Sequence, residues 1–177
     1  MIIRSKAPLR IGLAGGGTDV SPYSDIYGGA ILNATIDLYA YASLEPLDNG
    51  KIEFCIDGTD KSLSVASENE LKLVDGFELF IGVYNRLVKE FELKPLSFRL
   101  TSYIEAPQGS GLGTSSTIVV SLIGAFVEWL KLPLGKYDIA RLAYEIERID
   151  LGMSGGKQDQ YAATFGGINF MEFLADD

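Results

Sequence analysis

Glycines at 109, 111 and 113 alternate along the stretch PQGSGLGTSS, which runs from Pro107 to Ser116 and ends in three hydroxyls, Thr114, Ser115 and Ser116. An apolar run, TIVVSLIGAFVEWL, follows directly. A surface loop has no use for both features, whereas a phosphate cradle uses both. Glycines let the backbone approach an anion closely and take up positive φ. At a helix start the unpaired N–H groups point outward, and the dipole adds about half a positive charge. The hydroxyls can cap the helix, meet a phosphate or meet a metal ion. The plainer alternative is a flexible loop ahead of a well-capped helix. Two common phosphate-binding patterns do not fit: no lysine follows the glycines as in a P-loop, and threonine stands where a Rossmann fingerprint has its third glycine.

The rest of the composition narrows the chemistry. Histidine is absent and cysteine occurs once, at Cys55. Serine–histidine–aspartate catalysis, histidine bases and most zinc sites are thereby excluded. No intrachain disulfide can form, so a reducing compartment is the simpler reading, with Cys55 a small buried hydrophobe in a strand. The net charge is -9, from 24 acidic and 15 basic residues, with no basic block. That argues against a nucleic-acid surface. An acidic protein can still hold phosphates where positive potential is local. The first ten residues carry charges and a proline too early for a signal peptide. The apolar run 117–132 contains Ser121, Glu128 and Lys131 and falls below the roughly 18 residues a membrane span needs. No membrane partner and a cytoplasmic location are expected.

These residues need a scaffold, and the periodicity supplies one. At 177 residues and 47% hydrophobic, the chain suits one domain with a proper core, spanning 1–177. Short alternating runs (IIRSKA, LRIGLA, AILNATI, YAYASLEPL, KIEFCID and KSLSVAS) read as strands. The Asn-Gly pair in DNGK, residues 48–51, predicts a hairpin between the runs on either side of it. Helical spacing appears over 78–91, and PLSFRLTSYIEA returns to strand alternation. Helices are then expected over 114–132, 137–151 and about 157–164, with GGINFMEFLA closing as a strand. The β-branched TIVV weakens the first of these three, although tertiary context overrides so small a preference. The sum is an α+β fold, a mixed sheet early in the chain with helices packed on it.

The loop resembles a third pattern, the Pro-x3-Gly-Leu-Gly-Ser-Ser-Ala motif of the GHMP kinases (galactokinase, homoserine kinase, mevalonate kinase and phosphomevalonate kinase). Pro107, Gly111, Leu112, Gly113 and Ser115 fall in register, with Thr114 for the first serine and Ser116 for the alanine. APLRIGLAGGGTD at 7–19 is similar to the family's first motif, and AYEIERIDLGMSGGKQDQ at 143–160 to its acidic helix and loop. The resemblance implies the family's N-terminal domain fold (the type of ribosomal protein S5 domain 2) and ATP-dependent transfer to a small-molecule hydroxyl.

Carried over residue by residue, the resemblance places the nucleotide at Pro107, Gly109, Gly111, Leu112, Gly113, Thr114, Ser115 and Ser116. It makes Ser115 and Glu147 the Mg²⁺ ligands, Asp159 the base for the acceptor hydroxyl and Arg10 its cationic neighbour. A cation beside Asp159 would hold that carboxyl ionised, below its ordinary value. Each has a plainer reading: Glu147 a charge on a solvated helix face, Asp159 a helix cap, Arg10 a strand-end charge. Gly16, Gly17, Thr18 and Asp19 read as a sugar site, since glycines admit close approach and a carboxylate can accept from vicinal hydroxyls. They can equally form a turn capped by Thr18 or Asp19. RIGLAGGGTDVSPY looks most like the family's bacterial sugar kinases acting on heptose 7-phosphate at the anomeric hydroxyl, with fucokinase- and galactokinase-type enzymes as alternatives. Arg4, Lys6 or Lys157 is then expected to meet the sugar's own phosphate. A nucleotide or sugar sensor without turnover is the rival from another class. Family members are longer, and nothing after Gly167 resembles their third glycine motif. The chain is therefore expected to be the N-terminal half of such a kinase, with the C-terminal domain as its missing partner.

Overall fold

The computed structural model describes residues 1–107 and 109–175. Six strands form one sheet: β1 (Ile3–Ala14), β2 (Gly29–Pro46), β3 (Lys51–Ile56), β4 (Ser62–Ala66), β5 (Phe98–Ile104) and β6 (Ile168–Phe173). The helices are α1 (Tyr23–Tyr27), α2 (Glu78–Glu90), α3 (Thr114–Leu130), α4 (Lys136–Glu145) and α5 (Gln158–Phe165), and a π-helical turn, Ile146–Asp150, continues α4. The expected α+β fold with a mixed sheet is what forms. The first two predicted strands are one strand, β1, and the next two are one 18-residue strand, β2. Helix α1 had no expectation in the sequence.

The strand order is β1-β2-β5-β3-β4. All neighbours are antiparallel except β3 and β5, which run parallel from Ile52↔Phe98 to Ile56↔Ser102. This corrects the hairpin expected at Asn49-Gly50. The turn is present, but β5 inserts between the two strands it joins, pairing with Pro46 on one side and Ile52 on the other. The hairpin lies one strand later, between β3 and β4. Turn chemistry is local, whereas β5 arrives from nearly fifty residues away and brings Phe98 and Leu100, both fully buried, to the sheet centre.

The helices cover one face. Phe54, Phe77, Phe80, Tyr84, Phe98 and Phe126 meet there as an aromatic cluster, their ring centroids 5.1–6.4 Å apart. Helix α3 is buried along most of its length, TIVV included, so burial overrides the β-branched penalty. It lies close on β1 because Gly124 has no side chain: a Cβ there would collide with the Ser5 hydroxyl. Cys55 is half-buried in β3 rather than fully inside. Among the described residues no helix is long and apolar enough to cross a membrane.

One feature of the sheet positions the site. β5 and β6 lie on the same side of β2, β5 ending at Ile104 opposite Ala40 and β6 beginning at Ile168 opposite Ala34. Residues 35–39 of β2 therefore lie between the two. On the other side of β2, Arg10 sits opposite Thr35. The glycine loop follows β5 directly, and α5 precedes β6. The gap brings both to Arg10.

Candidate active site

The loop enters α3 through glycines of positive φ: 79° at Gly109, 75° at Gly111 and 75° at Gly113. Gly113 is the residue before the helix, and no side chain caps the end. Of the roles open to Thr114, Ser115 and Ser116, capping α3 is the one not taken up among the described residues. A left-handed residue directs the chain inward, and the Ser115 hydroxyl is engaged elsewhere. Among the described residues the first N–H groups of α3 carry no side-chain partner, which is the electrostatic condition for holding an anion.

Arg10 anchors the loop to β1. Its backbone N–H donates to Leu112 O at 3.1 Å, and its Nη1 donates to Gly111 O at 2.6 Å. The rest of the guanidinium grips Asp159, Nε and Nη2 each 2.6 Å from Oδ1. A Cβ at Gly113 would stand 3.2 Å from Asp159 Cγ. So the carboxylate in the first turn of α5 lies directly against the glycine loop. Asp159 does not cap its own helix. That task falls to Asp19, whose Oδ2 accepts the Gln158 N–H at 3.0 Å.

Glu147 sits in the π-helical turn and is fully buried, 0% exposed, which overturns the solvated-face alternative. The signature of the turn is the Leu151 N–H reaching Ile146 O, five residues back, at 2.9 Å. Oε1 of Glu147 accepts from the Ser115 hydroxyl at 2.6 Å, and Oε2 accepts from Gln160 Nε2 at 2.6 Å. Helix α5 thus delivers Asp159 to Arg10 and the next residue, Gln160, to Glu147.

Burial pushes the Asp159 carboxyl above its ordinary value. The charge and hydrogen bond of Arg10 pull it back, and Asp19 and Glu147 push upward again. The expectation that Arg10 would hold this carboxyl low is therefore corrected: removal from water outweighs the guanidinium. A raised carboxyl is the better proton acceptor.

Arg10, Gly113, Ser115, Glu147 and Asp159 share one cavity of about 240 Å³, together with Gly109, Gly111, Thr114 and Ser116. Leu112 serves through its carbonyl, and Pro107 accepts the Ser110 N–H at 3.3 Å, so both shape the loop rather than line the cavity. The Gly16–Asp19 segment does not line it either. Gly16 and Gly17 face open space, and the Thr18 hydroxyl donates to Gly15 O and accepts from Ala30 N, forming the turn. Asp19 points inward at 2% exposure, its Oδ1 without a hydrogen-bond partner among the described residues. Lys6 lies 4.1 Å over the Tyr39 ring, and Lys157 lies near the Tyr144 and Phe173 rings. The cavity also holds residues the sequence reading passed over, Arg148 and Gly155 on its wall and Gln160 behind Glu147.

A glycine loop at the start of a helix thus faces two carboxylates and an arginine across one cavity of an α+β domain. The chain belongs to the family described as GHMP kinases N terminal domain, which matches residues 78–167. It is 57% identical over 171 residues to a D-glycero-alpha-D-manno-heptose 7-phosphate kinase of Campylobacter jejuni, covering 97% of this chain and 50% of that protein. A galactokinase of Thermosipho africanus is 29% identical, covering 97% of this chain and 46% of the relative. Among solved structures, a D-glycero-D-manno-heptose 1-phosphate kinase from Bacteroides thetaiotaomicron superposes with a TM-score of 0.96 at 60% identity, over all of this chain and 57% of that one. The chain spans about half the length of the curated relatives it matches.

Proposed function

We propose that this chain carries the nucleotide and acceptor machinery of an ATP-dependent sugar kinase, transferring the γ-phosphoryl group to a hydroxyl of a heptose phosphate. The observation that supports this most is the contact between Asp159 and Gly113. On this reading the proton acceptor for the sugar hydroxyl stands immediately beside the cradle for the phosphates.

The residues fit Mg²⁺. Ser115 Oγ and Glu147 Oε1 are hard oxygen donors on the cavity wall, and the carboxylate is buried where a cation would offset its charge. Among the described residues no cluster of three or more His, Cys, Asp or Glu forms a metal site. One protein carboxylate with phosphates and waters is how this ion is ordinarily held, and an all-protein cage is unnecessary. When bound, Mg²⁺ neutralises charge on the β- and γ-phosphates. The chain's residues do the rest. The loop and the α3 N-terminus hold the phosphates, and Gln160 fixes the Glu147 carboxylate. Asp159, steadied by Arg10, accepts the hydroxyl proton. The hydroxyl oxygen bonds to the γ-phosphorus, the bond to the β,γ-bridging oxygen breaks, and ADP leaves. A loose transition state needs the proton acceptor only late.

Asp19, whose buried Oδ1 has no partner among the described residues, is the proposed acceptor for a sugar hydroxyl, with Gly16 and Gly17 facing open space beside it. The names of the two similar heptose kinases share a heptose phosphate and differ in the position of the phosphate, and the anomeric hydroxyl of heptose 7-phosphate is our choice of acceptor. A companion domain, of the extent the relatives' greater length allows, would close the cavity. The exposed apolar strip of Ile168 and Phe170, 79% and 66% exposed, offers it a footing.

Two experiments bear on this reading, both on protein of the relatives' full length. Ser115→Ala and Glu147→Gln should each raise the Mg²⁺ concentration for half-maximal rate by about tenfold or more, since each weakens an oxygen ligand. An unchanged Mg²⁺ titration removes them from the metal site. Separately, ADP release should be fastest with heptose 7-phosphate among a panel including fucose, galactose, homoserine and mevalonate. Turnover of fucose or galactose with none of heptose 7-phosphate would overturn the substrate and leave the kinase.

A further inference from the structure

Arg148 stands on the wall of the same cavity, next in sequence to Glu147, with its side chain only 11% exposed. A guanidinium removed from water that far calls for an anion. The one at hand is a poor match: Glu147 Oε1 is 3.8 Å from Nη1, and both Glu147 oxygens already accept from Ser115 and Gln160. Nε donates to Gly156 O at 3.3 Å, which fixes the direction of the group. Its terminal nitrogens make no hydrogen bond among the described residues, although a guanidinium offers five N–H donors.

The backbone around Arg148 is arranged to seat it. The π-helical turn sets Glu147 and Arg148, adjacent in sequence, on one cavity wall. Against it, a Cβ at Gly155 would lie 2.6 Å from Nη2, so any side chain there would push the guanidinium out of this position. Gly155 also has a φ of 146°, which side-chain-bearing residues rarely adopt.

We propose that Arg148 is a further catalytic residue, its terminal N–H groups binding the oxygens of the phosphoryl group being transferred. The inference rests on the kinase reading above. As the bond from the γ-phosphorus to the bridging oxygen breaks and the one to the acceptor oxygen forms, charge spreads over three equatorial oxygens. A planar fork of donors matches two of those oxygens at once, which a lysine ammonium cannot. Arg10, committed to Asp159 and Gly111, has no such freedom.

The test compares Arg148→Gln and Arg148→Lys with wild type at the relatives' full length, by calorimetry with Mg²⁺ and by turnover. Wild type should bind a non-hydrolysable ATP analogue more tightly than ADP. Both variants should lose about tenfold or more of the analogue's affinity while holding ADP within about threefold, because the contact is to the terminal phosphate alone. In the Gln variant kcat should fall about 10²–10³-fold, the effect of removing a transition-state donor, with the melting temperature nearly unchanged. A merely structural arginine would lower the melting temperature and leave the preference for the triphosphate intact. An intact preference, with kcat within about threefold of wild type, overturns the proposal and leaves the kinase reading standing. Failure of wild type to bind either nucleotide would overturn both.

Discussion

Asp159→Asn is expected to cut kcat by about 10²–10⁴, the usual contribution of a positioned acid–base group. The amide keeps the size of the carboxylate and can still accept from Arg10, so the grip between β1 and α5 survives. What it cannot do is take a proton. Nucleotide affinity should hardly change, because the helix N-terminus and loop amides hold the phosphates. The pH profile adds a sharper expectation. Burial raises this carboxyl, so the ionised, active form is lost as pH falls through a value above that of an ordinary aspartate. The acid limb of kcat/KM should lie correspondingly high in wild type and vanish in the variant. Stability runs the other way. A carboxyl whose folded-state pKa is raised disfavours the fold as pH rises through that value. Asp159→Asn should therefore melt at the same temperature or slightly higher near neutral pH, the trade of stability for function expected at an active site. Near-normal kcat in a well-folded variant would leave Arg10, Mg²⁺ and positioning to carry the transfer.

Gly113→Val should abolish nucleotide binding, an affinity loss of about 10²-fold or more. Two independent costs add. A β-branched residue at a φ of 75° is strained by roughly 1–2 kcal/mol. Its Cβ would also press on Asp159 Cγ at 3.2 Å, and its added bulk would crowd the approach proposed for phosphate oxygens at the start of α3. The control is Ser121→Ala, two turns further along α3, where the buried hydroxyl donates to Ile118 O at 2.8 Å. Calorimetry with ATP should show binding in the control and none in the valine variant. Equal affinity in the two would remove the cradle from the account.

The parts of this site that are legible in the sequence are those with local requirements. Alternating glycines before a hydroxyl run and an apolar helix are a backbone specification, readable without neighbours. The roles proposed for Arg10, Ser115, Glu147 and Asp159 are suggested only by the resemblance of three ordered motifs to one family. What stays hidden is whatever depends on distant packing. The Asn49-Gly50 turn carries a correct local signal and a wrong pairing, because β5 is placed by Phe98 and Leu100 seeking the core. Glu147 looks solvent-facing because a carboxylate is rarely buried without partners, and its partners, Ser115 and Gln160, come from other helices. Arg148 is masked by its neighbour, since adjacent opposite charges on a helix ordinarily face water. Asp159 is legible as a carboxylate near a cation, but the balance between burial and that cation requires the depth of the site.

The most direct measurement follows the phosphorus itself. Protein of the relatives' full length is mixed with ATP, Mg²⁺ and heptose 7-phosphate and observed by ³¹P NMR. The γ-phosphate signal of ATP should decay as ADP and one new sugar-phosphate resonance grow in equal amount, and Asp159→Asn should stop the exchange. ATP left intact, or converted to ADP with only inorganic phosphate appearing, would contradict the proposed transfer.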